Sequence, residues 1–148
     1  MNPKAKGMFF GLQLRHDDRH MIQVVLEGVA FSLKDSLEII QQMRISGDRI
    51  IASGGGAASE VWLQIQADVF EKAVYVSRVK EQACLGACIM AGVGAEIFTS
   101  VQEACGRYIE FDSKIYYPNE TQLEKYRASY RLYQQLYNKT KDLMDVCF

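Results

Sequence analysis

Residues 49–62 read RIIASGGGAASEVW: a short β-branched run, three consecutive glycines, and a serine opening an amphipathic stretch. No other segment restricts the fold as much. Residues 49–53 predict a strand buried on both faces, as in a parallel sheet. The residues that follow predict a helix whose face is Val61, Trp62, Ile65 and Val69. The run AVYV at 73–76 predicts a second short buried strand, so the unit is strand, helix, strand. A strand that ends in glycines and turns into a helix gathers unpaired backbone N–H groups and a positive helix end at one point, which suits a phosphate. Glycine serves there because a Cβ would hold the ligand's oxygens off the main chain and because such turns use positive φ. A tight turn also requires glycine, so a structural role for these residues stays open.

The flanking sequence is mostly helical in pattern. Leu26, Val29, Leu33, Leu37 and Ile40 fall at spacings of three and four, which predicts a long first helix, with Asp17 or Asp18 as its cap and Gly47 as the left-handed residue that ends it. Residues 83–95 predict a helix of small residues, whose Gly86, Ala87, Ala91 and Gly94 would let another backbone approach closely. TSVQEACG predicts a short capped helix ended by Gly106, and RYIEF a strand or an extended connection. The C-terminal stretch predicts a long helix with Asn119 as N-cap and Gln122 completing a capping box. Its Leu123, Tyr126, Tyr130, Tyr133 and Tyr137 form a stripe, read either as a face packed on the domain with hydroxyls at a wet edge or as a partner surface. Two strands are too few for a stable open sheet, so the sequence reads as part of a larger one.

Charge and cysteine usage remove several function classes. A net charge of -1 leaves no electrostatic footprint for nucleic acid or an anionic membrane. The weakly polar run at 83–98 is broken by glycines and too short to span a bilayer, and the N-terminus lacks a secretory h-region, so a cytoplasmic setting is expected. Cys84, Cys88, Cys105 and Cys147 have no paired CxxC spacing and read as small apolar residues, with no metal site assigned. His16 and His20 stand four apart around Asp17-Asp18, a pattern read as helix capping rather than zinc chemistry.

Phosphate-binding classes separate on residues. GGGAAS has no lysine and cannot be a P-loop. As a dinucleotide fingerprint it places Ser59 where glycine or alanine should allow close packing, and the second strand ends in Val76-Ser77 without an acidic ribose ligand. ASGGGAASEVWLQIQADVF, followed by EQACLGACIMAGVGAEIF, resembles the C-terminal nucleotide-binding domain of the FGGY carbohydrate kinases, most of all their xylulokinase branch. Upstream, GMFFGLQLRHDDRHMIQVVLEGVAFSLKDSLE is similar to the family's second signature through Gly11, His20-Met21 and LEGVAF at 26–31. The resemblance spans about residues 7–100. Departures fall at Gln23-Val24, in place of arginine and a small residue, and at Cys84 and Cys88, in place of alanine.

This resemblance implies a partial ribonuclease-H-like α/β domain of the actin-like ATPase superfamily, helix-rich with a short, mostly parallel sheet. It implies a single domain over 1–148, the C-terminal part of a kinase's second domain, with a lead-in at 1–17, a nucleotide-binding core at 18–100 and a C-terminal helical segment at 101–148. By resemblance Gly54, Gly55 and Gly56 lie near the α-phosphate and adenosine, and Ser59 lies beside the adenine. Trp62 is read as core, Asp68 as a structural hydrogen-bonding group and Glu27 as a packing or ion-pair residue. The implied reaction is phosphoryl transfer from ATP with Mg2+ to a sugar hydroxyl, D-xylulose by branch. The family's general-base aspartate lies upstream of the matched region, in a glycine-rich stretch that does not precede Gly7. No catalytic residue is therefore assigned, the chain alone is expected to be inactive, and Met1 is expected to be an artificial or misassigned start. The expected partners are nucleotide and sugar, with no nucleic acid or membrane and with a homodimer left open. The alternative is a non-catalytic actin-like nucleotide-binding or interaction module.

Overall fold

The computed structural model describes residues 5–45, 47 and 49–144; Cys147 lies outside them. Helix α1, Asp18–Gln42, is followed by β1, Ile50–Ala52, a 3₁₀ turn at Gly55–Ala58, α2, Glu60–Phe70, and β2, Val74–Ser77. Then come α3, Gln82–Gly94, α4, Val101–Tyr108, β3, Phe111–Tyr116, and α5, Glu120–Met144. The strand–helix–strand unit read from the glycine region is present. The sheet has the order β1-β2-β3, with β1 and β2 parallel, Ile50 opposite Val74, and β3 antiparallel to β2, Val74 opposite Tyr116. The third strand is FDSKIY rather than RYIEF. Its exposed Asp112, Ser113 and Lys114 hide it from a hydrophobic pattern.

Helix α2 is the centre of the molecule and is apolar on two sides. Leu63 and Ala67 pack with Val74 and Tyr116 under the sheet. Ile65 and Val69 pack with Ala30 and Phe31 of α1 and with Tyr126 and Tyr130 of α5. Val61, expected on the buried face, is exposed because it lies in the first turn, before the flanking helices close over α2. Removing about 100 Å² of apolar surface from water contributes roughly 2.5 kcal/mol, so these two clusters are the main favourable term.

The helix ends show which sequence cues the fold uses. Asp17 caps α1: its carboxylate accepts from the N–H groups of Arg19 and His20 at 3.1 and 3.2 Å. His20 Nδ1 in turn accepts from the Asp17 N–H at 3.3 Å, so a histidine completes the capping box. At the other end Arg44, φ 60°, takes the left-handed conformation expected of Gly47. The Ile45 N–H already bonds the Ile40 carbonyl at 3.3 Å, so the helix closes before Gly47 is reached. Gly106 likewise does not end α4, which runs on to Tyr108.

Helix α3 differs from its expected role. A Cβ on Gly86 or Gly94 would meet nothing, so no backbone approaches there; Gly92 is the crowded position, 2.5 Å from the Phe98 ring. Its contacts run mainly to α4. Cys84 and Cys88 stand exposed on it.

The tyrosine stripe of α5 packs inward at Tyr126 and Tyr130, while Tyr137 at its far end is 40% exposed. The Tyr126 hydroxyl donates to Glu27 Oε1 at 3.2 Å and the Tyr130 hydroxyl to Asp35 Oδ1 at 2.6 Å, while both rings lie against Phe31. Burial and the facing carboxylates push both phenols above their ordinary pKa. Glu27 also accepts from Gln23 Nε2 at 2.7 Å, so it is a packing residue whose partners are neutral. Among the described residues no helix is long and apolar enough to cross a membrane.

Candidate nucleotide site

Three consecutive glycines connect β1 to α2, and each stands there for a different physical reason. Gly54 has φ 75° and ψ -165°, a conformation that L side chains rarely adopt. Gly56 is needed for packing, since a Cβ would lie 3.3 Å from Trp62 Nε1. Gly55 is neither strained nor crowded, and a Cβ there would meet no atom within 4 Å. All three are exposed.

Beyond them the chain makes a single tight turn, with the Ala57 N–H on the Gly54 carbonyl at 3.1 Å and the Ser59 N–H on the Gly56 carbonyl at 3.3 Å. Gly54, Gly55 and Gly56 donate no backbone hydrogen bond to any described residue. Ser59 then caps α2, its hydroxyl accepting from the Trp62 N–H at 3.3 Å. Open N–H groups and the N-terminus of an 11-residue helix therefore meet at one exposed point. This fits a phosphate group. It also fits the close approach of a flat ring to bare backbone.

Electrostatics at this end are balanced by a residue that sequence reading does not reveal. Glu60 in the first turn of α2 would repel an anion, but Lys114 on β3 holds its carboxylate at 2.6 Å. That pairing raises the Lys114 pKa. Because the strand carrying Lys114 escapes pattern reading, the contact could not be anticipated.

The remaining matched residues are structural. Asp68, 5% exposed, accepts from Gln64 Nε2 at 2.9 Å and from the Asn119 N–H at 2.7 Å. It thereby takes the place expected of Gln122 in the capping box of α5, while Asn119 Oδ1 accepts from the Thr121 N–H at 3.1 Å. Trp62 is half-buried against the α1–α5 cluster. Among the described residues no three His, Cys, Asp or Glu side chains converge to hold a metal ion, so no residue is assigned to magnesium.

An open cleft of about 440 Å³ runs beside the turn, between α1 and β1. It is floored by Trp62, Gln66 and Phe70 and walled by Leu33, Leu37 and Ile40. It is chiefly apolar, and pattern reading misses Gln66 because it sits among the buried positions of α2.

The sequence model of the FGGY family of carbohydrate kinases, C-terminal domain, matches residues 1–95. The chain belongs to this family. It is 31% identical to the xylulose kinase of Bacillus subtilis over 138 residues, covering 93% of the chain and 28% of that protein. It is 46% identical to the gluconokinase of the same organism over 90 residues, 60% of the chain and 18% of that protein. The crystal structure of xylulose kinase from Rhodospirillum rubrum superposes with a TM-score of 0.87 at 26% identity, covering 97% of the chain and 29% of that one. The likeness to these FGGY kinases carries the actin-like ATPase fold for this chain. The chain spans about 28% of the length of the curated relatives it matches.

Proposed function

We propose that this FGGY chain forms the nucleotide-holding part of an ATP-dependent sugar kinase, with 18–100 as the core of the site and 101–148 as the helical buttress behind it. Gly54, Gly55 and Gly56 present their N–H groups to the phosphates and adenosine, and Ser59 sets the start of α2 beside the adenine. The observation that carries this reading is Gly55. Conformation accounts for Gly54 and packing for Gly56, while Gly55, in the same exposed turn of open N–H groups before α2, leaves room for a ligand close to its backbone. When bound, ATP supplies the phosphoryl group and Mg2+ screens its charge. The chain's own part is to bind and orient: backbone donors fix the nucleotide, and α2 adds the positive end of its dipole.

The sugar hydroxyl needs a base that no described residue is assigned to supply, so the chain by itself binds nucleotide without turning over sugar. D-xylulose is the proposed substrate of the whole kinase, supported by relatives that match over nearly all of this chain. Gluconate is the second reading, favoured by the higher identity to the gluconokinase over a shorter stretch. A cytoplasmic setting accords with such metabolism. The interaction-module alternative is weakened by Tyr130, which is buried against α1 and offers no docking surface.

Thermal unfolding with and without ADP tests the nucleotide reading. ADP is expected to raise the melting temperature of the wild-type chain and not that of Gly55→Val. Because the added side chain meets open space, the variant without ligand should melt within about 1 °C of wild type. Equal stabilisation of both proteins would overturn the assignment.

A further inference from the structure

The end of α2 that faces the glycine turn carries an anion of its own. Glu60 stands in the first turn of the helix, directly after Ser59. Its carboxylate suits the helix by itself, because the positive end of the dipole favours an acidic residue there. The helix therefore gains little from a cation beside Glu60, whereas a phosphate-bearing ligand is repelled by a bare carboxylate. Lys114 supplies that cation, with Nζ 2.6 Å from Glu60 Oε1. The two side chains are 53% and 70% exposed, a setting in which an ion pair adds little to stability. The consequence of the pair falls on a second anion rather than on the fold.

Strand register places Lys114 there. Side chains alternate along β3, so Lys114 shares a face with Tyr116. Tyr116 packs with Leu63 and Ala67 under α2, and Leu63 is one helical turn from Glu60. Because β3 runs antiparallel to β2, the step from Tyr116 back to Lys114 leads to the end of the sheet where β1 enters the glycine turn. The Tyr116 ring, 7% exposed, lies 5.0 Å from Nζ and steadies the lysine. We infer that Lys114 is a positioning residue of the nucleotide site: by holding and neutralising the Glu60 carboxylate, it sets how strongly the site attracts the phosphates of a nucleotide. It acts through Glu60 and not by touching the ligand, so its effect grows with the charge of the ligand and shrinks with salt. It rests on the nucleotide reading of the glycine turn, and comparing a charged ligand with a neutral one separates the two.

The experiment measures ADP and adenosine binding by titration calorimetry, in about 0.02 M and about 0.5 M salt, for the wild-type chain, Lys114→Ala, Lys114→Arg, Glu60→Gln and the Glu60→Gln/Lys114→Ala double variant. Lys114→Ala is expected to weaken ADP binding by about 5-fold at low salt and by less than about 2-fold at high salt, the size expected of one uncompensated charge near a surface site. Adenosine affinity should stay unchanged in the same variant, and its melting temperature should lie within about 1 °C of wild type. Lys114→Arg should bind ADP like wild type, and the double variant should recover wild-type affinity because the carboxylate is gone. Lys114→Ala binding ADP as tightly as wild type at low salt would overturn the role of Lys114 and leave the nucleotide reading intact. A loss of ADP and adenosine binding by the same factor, or no recovery in the double variant, would also overturn it, since either result marks a structural effect. A wild-type chain that binds neither ligand would overturn the nucleotide reading and this role with it.

Discussion

Replacing Asp68 by alanine removes the carboxylate that ties the start of α5 to α2. Two donors lose it: the Asn119 N–H at 2.7 Å and Gln64 Nε2 at 2.9 Å. Gln64 keeps its bond to the Tyr117 carbonyl at 2.8 Å, so its loss is partial. The Asn119 N–H is part-buried at a helix end and has no replacement in the fold. A hydrogen bond to a charged acceptor is worth about 1.5–3 kcal/mol, and an unsatisfied part-buried donor adds to the loss, so Asp68→Ala should cost about 3 kcal/mol. For a chain of this size that corresponds to a melting temperature lowered by roughly 6–12 °C. Asp68→Asn keeps one acceptor oxygen and should cost about 1 kcal/mol. Urea unfolding followed by far-UV circular dichroism measures both, and m should be unchanged if the native state keeps its compactness. The reasoning fails if both variants lie within about 0.5 kcal/mol of wild type, or if asparagine is as costly as alanine.

Other consequences follow from the same contacts. Tyr130→Phe keeps the ring against Phe31 and removes the bond to Asp35, so it should cost about 1–2 kcal/mol by chemical denaturation. The raised phenol pKa of Tyr130 means that the folded state holds its proton more tightly than the unfolded chain. Stability should therefore be level below the ordinary tyrosine value of 10.0 and fall as pH rises above it, with a shallower fall in Tyr130→Phe. Glu71 shows the opposite sign: Arg127 and Lys34 hold its carboxyl below the usual range, so its contribution is present above the ordinary value of 4.5 and lost as pH falls through the lowered one. Glu71→Gln should flatten that acid limb in a pH series of melting temperatures. Gly92→Ala places a methyl group 2.5 Å from the Phe98 ring, which must leave its packing on Tyr108; about 1–3 kcal/mol and a changed near-UV spectrum are expected.

The parts of this fold legible in sequence are those fixed by local chemistry. The β-branched run before Gly54, the cap at Ser59 and the cap at Asp17 each follow from what a few neighbouring residues can do with their own backbone. The parts that were not legible depend on residues distant in the chain. Asn119 caps α5, but its N–H is taken by Asp68 from α2 instead of by Gln122. The apolar stripe of α1 is real, yet α1 buries Ala30 and Phe31 while Leu33 and Ile40 face the open cleft, because burial is decided by which partners are present. The expectation that β1 is buried on both faces fails at Ile51 for the same reason. β3 has three exposed residues in its middle and is held as a strand by its pairing with β2 and by Tyr116, which reaches the Leu63 cluster. At the candidate site, sequence indicates the three glycines but not which of them the fold leaves unexplained; that requires the open space at Gly55.

Amide chemical shifts recorded while ADP is titrated into the 148-residue chain test the central claim most directly. The account predicts that the Gly54, Gly55 and Gly56 N–H resonances move together and saturate, and that Gly55→Val abolishes these shifts while leaving those of β2 and α5 in place. Shifts that spare the glycines, or that persist in Gly55→Val, would contradict it.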